Sequence, residues 1–369
     1  MIELRAERSA QSSDSAAANT ALPPLVYVCV LNWNAHEETL QCVEALARSN
    51  YENARIVVAD NGSAEESVRA LKESGLPFEW ILNPVNLGFT GGSNLVLSYA
   101  LECGADFVWL VNSDALVEPD TLSKLIAAAA AEPAAGILSP VLYVNSHARE
   151  IQSCGTRLDV RDGVRDYFEE VPAAIDCMRH APRQFCVWGT AMLIRRDVIE
   201  RIGMLDERFF AYDEDFDYCL RAIDAGFEVR LVPDAGVLHG SPAEEPGAES
   251  RRLHRNFYVA RNRILLSSKH TAGLKRWLCV GRTVVQELRR IDAKQLDGES
   301  ADLVLDGIWC AFMRRTGCWT RNDSRLQAPG PVRIVLRAML GLVDLLRPPK
   351  VLDSGHATGS ARSVSDGLS

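Results

Sequence analysis

Four short apolar runs, at 25–31, 55–59, 78–82 and 107–111, alternate with helix-like segments at 35–48, 64–74, 91–103 and 119–131. The first run follows Pro23-Pro24 and is continuous and Val-rich, the pattern of a strand buried on both faces rather than one. Strands alternating with helices of this length predict βαβ units around a parallel sheet. After about residue 150 the pattern loosens to an apolar run at 185–194, a helix over 212–225 closed by Gly226, and a strand at 231–238. From about 250 the chain reads as helices, at 250–268, 273–291, 300–315 and 332–346. The last carries Val332, Val335, Leu336, Met339, Leu340, Val343 and Leu346 on one stripe, the pattern of a packing face.

Ligands of open parallel sheets sit beyond the carboxyl ends of the strands. The polar strings of this chain fall there: Asn32 to Asn34 after the first strand, Asp60 to Ser63 after the second, Asn83 to Gly92 after the third and Asn112 to Asp114 after the fourth. One shared site is the expectation. At 369 residues the chain divides into a tail at 1–22, a sheet domain at 23–250, a basic helical region at 251–350 and a second tail at 351–369.

The formal net charge of −9 argues against a nucleic-acid partner but hides an asymmetry. Residues 251–350 hold 20 Lys and Arg against 8 Asp and Glu, and the remainder holds 20 against 41. A basic segment suits an anionic membrane surface or a phosphate-bearing substrate, and equally a solvated helical face. Arg333, Arg337, Arg347 and Lys350 beside the last stripe keep an interfacial role open. No stretch approaches the roughly 20 apolar residues of a spanning helix. The ten cysteines show no CxxC and no paired His spacing, so they read as reduced thiols of a cytoplasmic protein.

Each motif has a chemistry and a plainer reading. Asp60 at a buried strand end can accept from a nucleobase imide, though Asp60-Asn61-Gly62-Ser63 taken alone is first a turn and helix cap. Gly88, Gly91 and Gly92 let backbone approach a ligand where a helix N-terminus favours anions. Their spacing is neither GxGxxG nor a P-loop. Asp114 ends an apolar strand and could hold Mg²⁺ or Mn²⁺ on a diphosphate. In Phe209 to Arg221, Asp217 and Arg221 form a helical salt bridge and Asp213 serves as N-cap or complements the helix dipole. Glu214 and Asp215 remain as base candidates facing a cleft. His239 ends a probable strand and could complete the metal site with Asp114; His36, His147, His180, His254, His270 and His356 receive no function.

With these residues in order, the chain resembles family 2 glycosyltransferases of GT-A fold, especially the bacterial rhamnosyltransferase-like branch, from about Val26 to Arg263. The resemblance implies a Rossmann-like nucleotide-diphospho-sugar transferase fold, mostly parallel in its central sheet, with a C-terminal helical extension. It implies that Asn32, Asp60, Asn86, Gly88, Gly91, Gly92 and Asp114 bind the nucleotide sugar, Asp60 through uracil or thymine. The Asp-x-Asp metal motif falls on Asn112-Ser113-Asp114, so the metal weight rests on Asp114 with His239. Asp215, beside Glu214, falls on the base of an inverting transfer. Thr90 and Ser93 replace the more usual Ala and Asn of the glycine loop, and Tyr258 to Arg263 matches the segment after the catalytic domain.

The expected activity is transfer of a sugar, with L-rhamnose a candidate, from a UDP- or dTDP-sugar to a saccharide or polyprenyl-linked acceptor at the inner face of the cell membrane. One rival is a sugar-1-phosphate nucleotidyltransferase, which should carry a glycine-rich loop with Arg and Lys after the first strand, where Leu31 to His36 has neither. The other is a catalytically silent binding protein on the same fold.

Overall fold

The computed structural model describes residues 22–145, 149–240, 248–320 and 323–345. In chain order the strands are β1 (Val26–Asn32), β2 (Ala54–Asn61), β3 (Glu79–Asn83), β4 (Phe107–Asn112), β5 (Ala115–Val117), β6 (Ala135–Asn145), β7 (Glu150–Ser153), β8 (Thr156–Asp159), β9 (Val164–Tyr167), β10 (Phe185–Cys186), β11 (Ala191–Arg195) and β12 (Glu228–His239). The helices are α1 (His36–Ala47), α2 (Glu65–Glu73), α3 (Gly88–Glu102), α4 (Thr121–Ala131), α5 (Val171–His180), α6 (Arg196–Ile202), α7 (Glu214–Asp224), α8 (Ala248–Lys269), α9 (Gly273–Ala293), α10 (Gly298–Phe312) and α11 (Gly330–Leu345).

The main sheet runs β3-β2-β1-β4-β11-β6-β12-β5, with β7 beside β6. The first four strands are parallel, as are β6 and β12. Along β1, Val26, Val28 and Val30 enter the core on one face while Tyr27 and Cys29 enter the core on the other. Burial on both faces is why this run is unbroken rather than alternating. The parallel register lays Asn32 beside Asp60, Asn61 beside Asn83 and Leu31 beside Asn112, so the polar strand ends share one edge.

The apolar run at 185–194 is not one strand. It breaks at Val187 to Thr190: β10 joins the small sheet β10-β8-β9, and β11 enters the main sheet antiparallel to β4. That reversal pairs Ala191 with Val111 and so brings Gly189 and Thr190 to the same edge as Asn112. The helix predicted over 91–103 begins three residues earlier, at Gly88, and so encloses all three glycines in its first turns.

Helices α8 to α11 build a core of their own from Ala260, Ile264, Val284, Leu288, Val304 and Ile308. Gly307 lets α10 cross α8 closely, since a Cβ there would strike the Phe257 carbonyl. The stripe of α11 divides: Val332 and Leu336 pack on this core, whereas Val335 and Met339 are exposed. Its arginines are not free either, because Arg333 pairs with Asp302 and Asp306 and Arg337 with Asp302. Leu346, Arg347 and Lys350 lie outside the described residues.

Candidate functional site

Asn32 organises the first strand end. Its buried amide donates to Asp60 Oδ1 at 2.8 Å, Ser63 Oγ at 3.1 Å and Ser67 Oγ at 3.2 Å, and its oxygen accepts from Thr39. Asp60 Oδ2 accepts from the Ser63 amide at 3.1 Å. Each carboxylate oxygen keeps a lone pair for a further donor. Asn61 does the same for the glycine turn: its amide donates to Asn86 Oδ1 and the Gly88 carbonyl, and its oxygen accepts from Asn83 and the Leu87 N–H. Asn86 Oδ1 also accepts from Gly88 N at 2.8 Å.

Gly88 has φ +75 and no room for a Cβ, which would strike the carbonyl and ring of Phe210. The Thr90 N–H donates to that same carbonyl at 3.1 Å, so Thr90 faces Phe210. Through these contacts the glycine turn and the acidic segment, far apart in sequence, form one wall.

At the next strand ends Asp114 Oδ1 and His239 Nε2 lie 3.3 Å apart. His239 is delivered by the antiparallel register of β12 and β5, which sets it against Ala115. Its Nδ1 meets Gln152 Oε1 at 2.7 Å, which assigns the proton to Nδ1 and turns the Nε2 lone pair toward Asp114 and the Asn112 amide. A carboxylate and an imidazole nitrogen side by side are a donor set that suits Mg²⁺ or Mn²⁺. Two neighbouring ligands on a six-coordinate Mg²⁺, with bonds of about 2.1 Å, stand about 3 Å apart. The spacing of the pair therefore fits one small divalent ion. Among the described residues no cluster of three or more His, Cys, Asp or Glu forms a fuller metal cage.

The acidic segment departs from its sequence reading. Asp213 occupies the N-cap position of α7 but in the left-handed conformation, with no capping bond; its carboxylate is held by Arg165 of β9. Glu214 does not face the cleft. It is 6% exposed, and burial together with the Asp215 charge pushes its pKa well above the carboxylate range. Asp215 is half-buried and accepts from Gly189 N at 2.9 Å and Phe216 N at 2.7 Å. Burial raises its pKa to about 6, with Asp213 adding to the rise while the two amides and Arg165 oppose it. The Asp217–Arg221 pair forms at 2.8 Å, yet Asp217 is fully buried and also binds Lys269 and His270, tying α7 to α8.

Phe210, Tyr212 and Asp213 have φ of 64, 70 and 65, a backbone stretch that non-glycine residues avoid. Two side chains of α8 hold it. Asn262 donates to the carbonyls of Phe209, Ala211 and Tyr212 at 2.9, 2.7 and 2.7 Å, and Arg261 donates to those of Arg208 and Phe209. The ring of Phe210 stacks on Tyr258 at 5.2 Å.

Asn32, Asp60, Asn86, Gly88, Gly91, Gly92, Asp114, Asp215 and His239 thus gather at one edge of the sheet, and Glu214 is buried next to Asp215. Sequence reading missed Asn61, Gln152, Arg165, Gly189 and the clamp made by Arg261 and Asn262. For the clamp a signal existed in the segment Tyr258 to Arg263, and for Gly189 in the break it makes in an apolar run. Arg165 lies in an irregular stretch with no distinguishing pattern.

Residues 23–258 match the family described as glycosyltransferase like family 2. The N-acetylglucosaminyl-diphospho-decaprenol L-rhamnosyltransferase of Mycobacterium tuberculosis is 27% identical over 229 residues, covering 55% of this chain and 73% of that protein. The dTDP-rhamnosyl transferase RfbF of Shigella flexneri is 22% identical over 254 residues, covering 66% and 80%. Among solved structures, S. aureus TarS 1-349 in complex with UDP-GlcNAc aligns with TM-score 0.53 at 13% identity over 87% of each chain. The mannosyltransferase PcManGT from Pyrobaculum calidifontis, in complex with GDP-Man and Mn²⁺, aligns with TM-score 0.50 at 17% identity over 91% and 90%.

Proposed function

The chain belongs to glycosyltransferase like family 2, an enzyme of sugar transfer with a GT-A fold, and from that membership we propose an inverting, metal-dependent transfer from a dTDP- or UDP-sugar to a saccharide or lipid-linked acceptor in cell-surface polysaccharide synthesis. The names of its relatives favour L-rhamnose as the sugar. What supports the mechanism is a continuous bonded path from base to metal pair. Asp215 accepts from Gly189, the neighbouring Thr190 carbonyl accepts from Asn112 N at 2.9 Å, and the Asn112 amide meets His239, which adjoins Asp114.

In this reading Asp60 accepts the imide N–H of the base, and the N-terminus of α3 turns the positive end of its dipole toward the diphosphate. Asp114 and His239 would hold Mg²⁺ or Mn²⁺, which when bound neutralises charge on the departing diphosphate. Asp215 takes the proton of the acceptor hydroxyl as that oxygen attacks the anomeric carbon from the face opposite the nucleotide, so the configuration inverts. With a pKa of about 6 it is ionised at neutral pH yet basic enough to accept the proton. Burial and the Asp215 charge favour the neutral form of Glu214 beside it, which limits the buried negative charge.

The test is nucleotide release from a panel of dTDP- and UDP-sugars with acceptor. Release should require Mg²⁺ or Mn²⁺. Asp114→Ala should lose metal-dependent nucleotide binding, whereas Asp215→Asn should bind nucleotide normally and fail to transfer. Undiminished binding by the first or undiminished turnover by the second would overturn the corresponding assignment, and binding without any transfer would favour a silent binding protein.

A further inference from the structure

We infer that the first turns of α9 seat this protein on an anionic lipid surface. Leu274, Trp277 and Leu278 are 77%, 68% and 59% exposed, and at spacings of three and four residues they share one helix face. Further along the same helix Cys279, Val280, Thr283 and Val284 are buried in the core, so the exposed first turns are held to the body of the protein. Single exposed apolar residues are ordinary, but a contiguous group with a Trp and basic flanks is the composition of an interfacial helix. Lys275 and Arg276 supply the basic charge and are exposed, whereas Arg282 pairs with Asp162 at 3.6 Å. Long basic side chains can keep their charges at head-group level while their stems lie along apolar surface.

The charge pattern selects lipid over a protein partner, because interface cores between proteins are depleted in Lys. It also selects α9 over α11. The exposed Ile334, Val335 and Met339 of α11 have Arg333 and Arg337 beside them, but those charges are already neutralised by Asp302 and Asp306.

The same helix is joined to the site. Cys279 and Arg282 donate to the Arg161 carbonyl at 3.3 and 2.9 Å, and Gln286 donates to the Gly163 carbonyl at 2.9 Å, gripping the turn between β8 and β9. From that turn β9 carries Arg165 to Asp213 and Tyr167 to Trp188, whose neighbour Gly189 bonds Asp215. At 3.3 Å per residue the span from Gly163 to Tyr167 is about 13 Å. One hairpin thus links the helix that bears the lipid-facing residues to the segment that holds the base.

This inference deepens the reading of a lipid-linked acceptor, but its readout is vesicle binding and needs no turnover. The full chain is floated with phosphatidylcholine–phosphatidylglycerol vesicles and with phosphatidylcholine vesicles alone. Binding is expected to the anionic vesicles and to weaken with salt. Lys275→Glu/Arg276→Glu should lower it at least tenfold, since one basic side chain at such a surface contributes about fivefold. Leu274→Ser/Trp277→Ser/Leu278→Ser should also lose at least tenfold, with UDP or dTDP binding unchanged as evidence of folding. The inference fails if the wild-type chain stays unbound with anionic vesicles, or if either variant binds them equally well. It fails too if the wild type is a dimer by light scattering and the triple variant a monomer, which would make the face an interface between copies. Vesicle binding without transfer from any donor would sink the proposed function alone.

Discussion

Asn262→Ala should uncouple nucleotide binding from transfer. Asn262 is fully buried, and its amide is shared among three backbone carbonyls of the segment that precedes Asp215. A net hydrogen bond contributes about 0.5–1.5 kcal/mol, and a buried acceptor left bare costs about 1–3 kcal/mol, so truncation should remove about 2–4 kcal/mol from this conformation. Opposing it are three left-handed non-glycine residues, Phe210, Tyr212 and Asp213, at about 1–2 kcal/mol each. The clamp and the strain are of similar size. Without the amide the held conformation loses its advantage, and a loss of about 2 kcal/mol corresponds to about thirtyfold in turnover. The assay pairs kcat for transfer with calorimetric Kd for the nucleotide. Turnover should fall about 10- to 100-fold while Kd rises far less, since Asp60 and Asn86 are held by other residues and the clamped segment reaches the glycine turn through the Phe210 carbonyl. Asn262→Asp sharpens the test: it keeps the shape but sets a carboxylate against three carbonyls, and should be at least as impaired as Ala. Wild-type turnover in either variant, or a loss of nucleotide affinity matching the loss of turnover, would refute the positioning argument.

Two further outcomes follow from the site. The kcat/KM profile should show an acidic limb near pH 6: Asp215 acts in its ionised form, so activity is present above its raised pKa and lost as pH falls through it. A limb near pH 4 would mean that burial does not perturb the base. Gly88→Ala should lower thermal stability by about 2–4 kcal/mol, from left-handed strain and a Cβ driven into the Phe210 carbonyl, and should weaken nucleotide binding. An unchanged melting temperature and affinity would contradict that close approach.

The alternation of elements and the order of polar strand ends were legible in the chain itself, because both are local. Buried parallel strands read as unbroken apolar runs such as 25–31, and the first polar residue after each run marks the edge where ligands bind. The long helices after residue 250 were equally plain from their 3.6-residue spacing. Which side chains meet across that edge was a matter for tertiary structure alone. Glu214 and Asp215 are adjacent, and only the rotation of α7 against the small sheet buries one and leaves the other on Gly189. The proton on His239 is assigned by Gln152, 87 residues away, and the strained turn before the base is held by Asn262, about 50 residues beyond it. Such pairings depend on strand register and helix docking, which no window of sequence contains. The reversal of β11 is the clearest case: one apolar run, 185–194, breaks at Val187 to Thr190 because sheet packing turns its second half antiparallel beside β4.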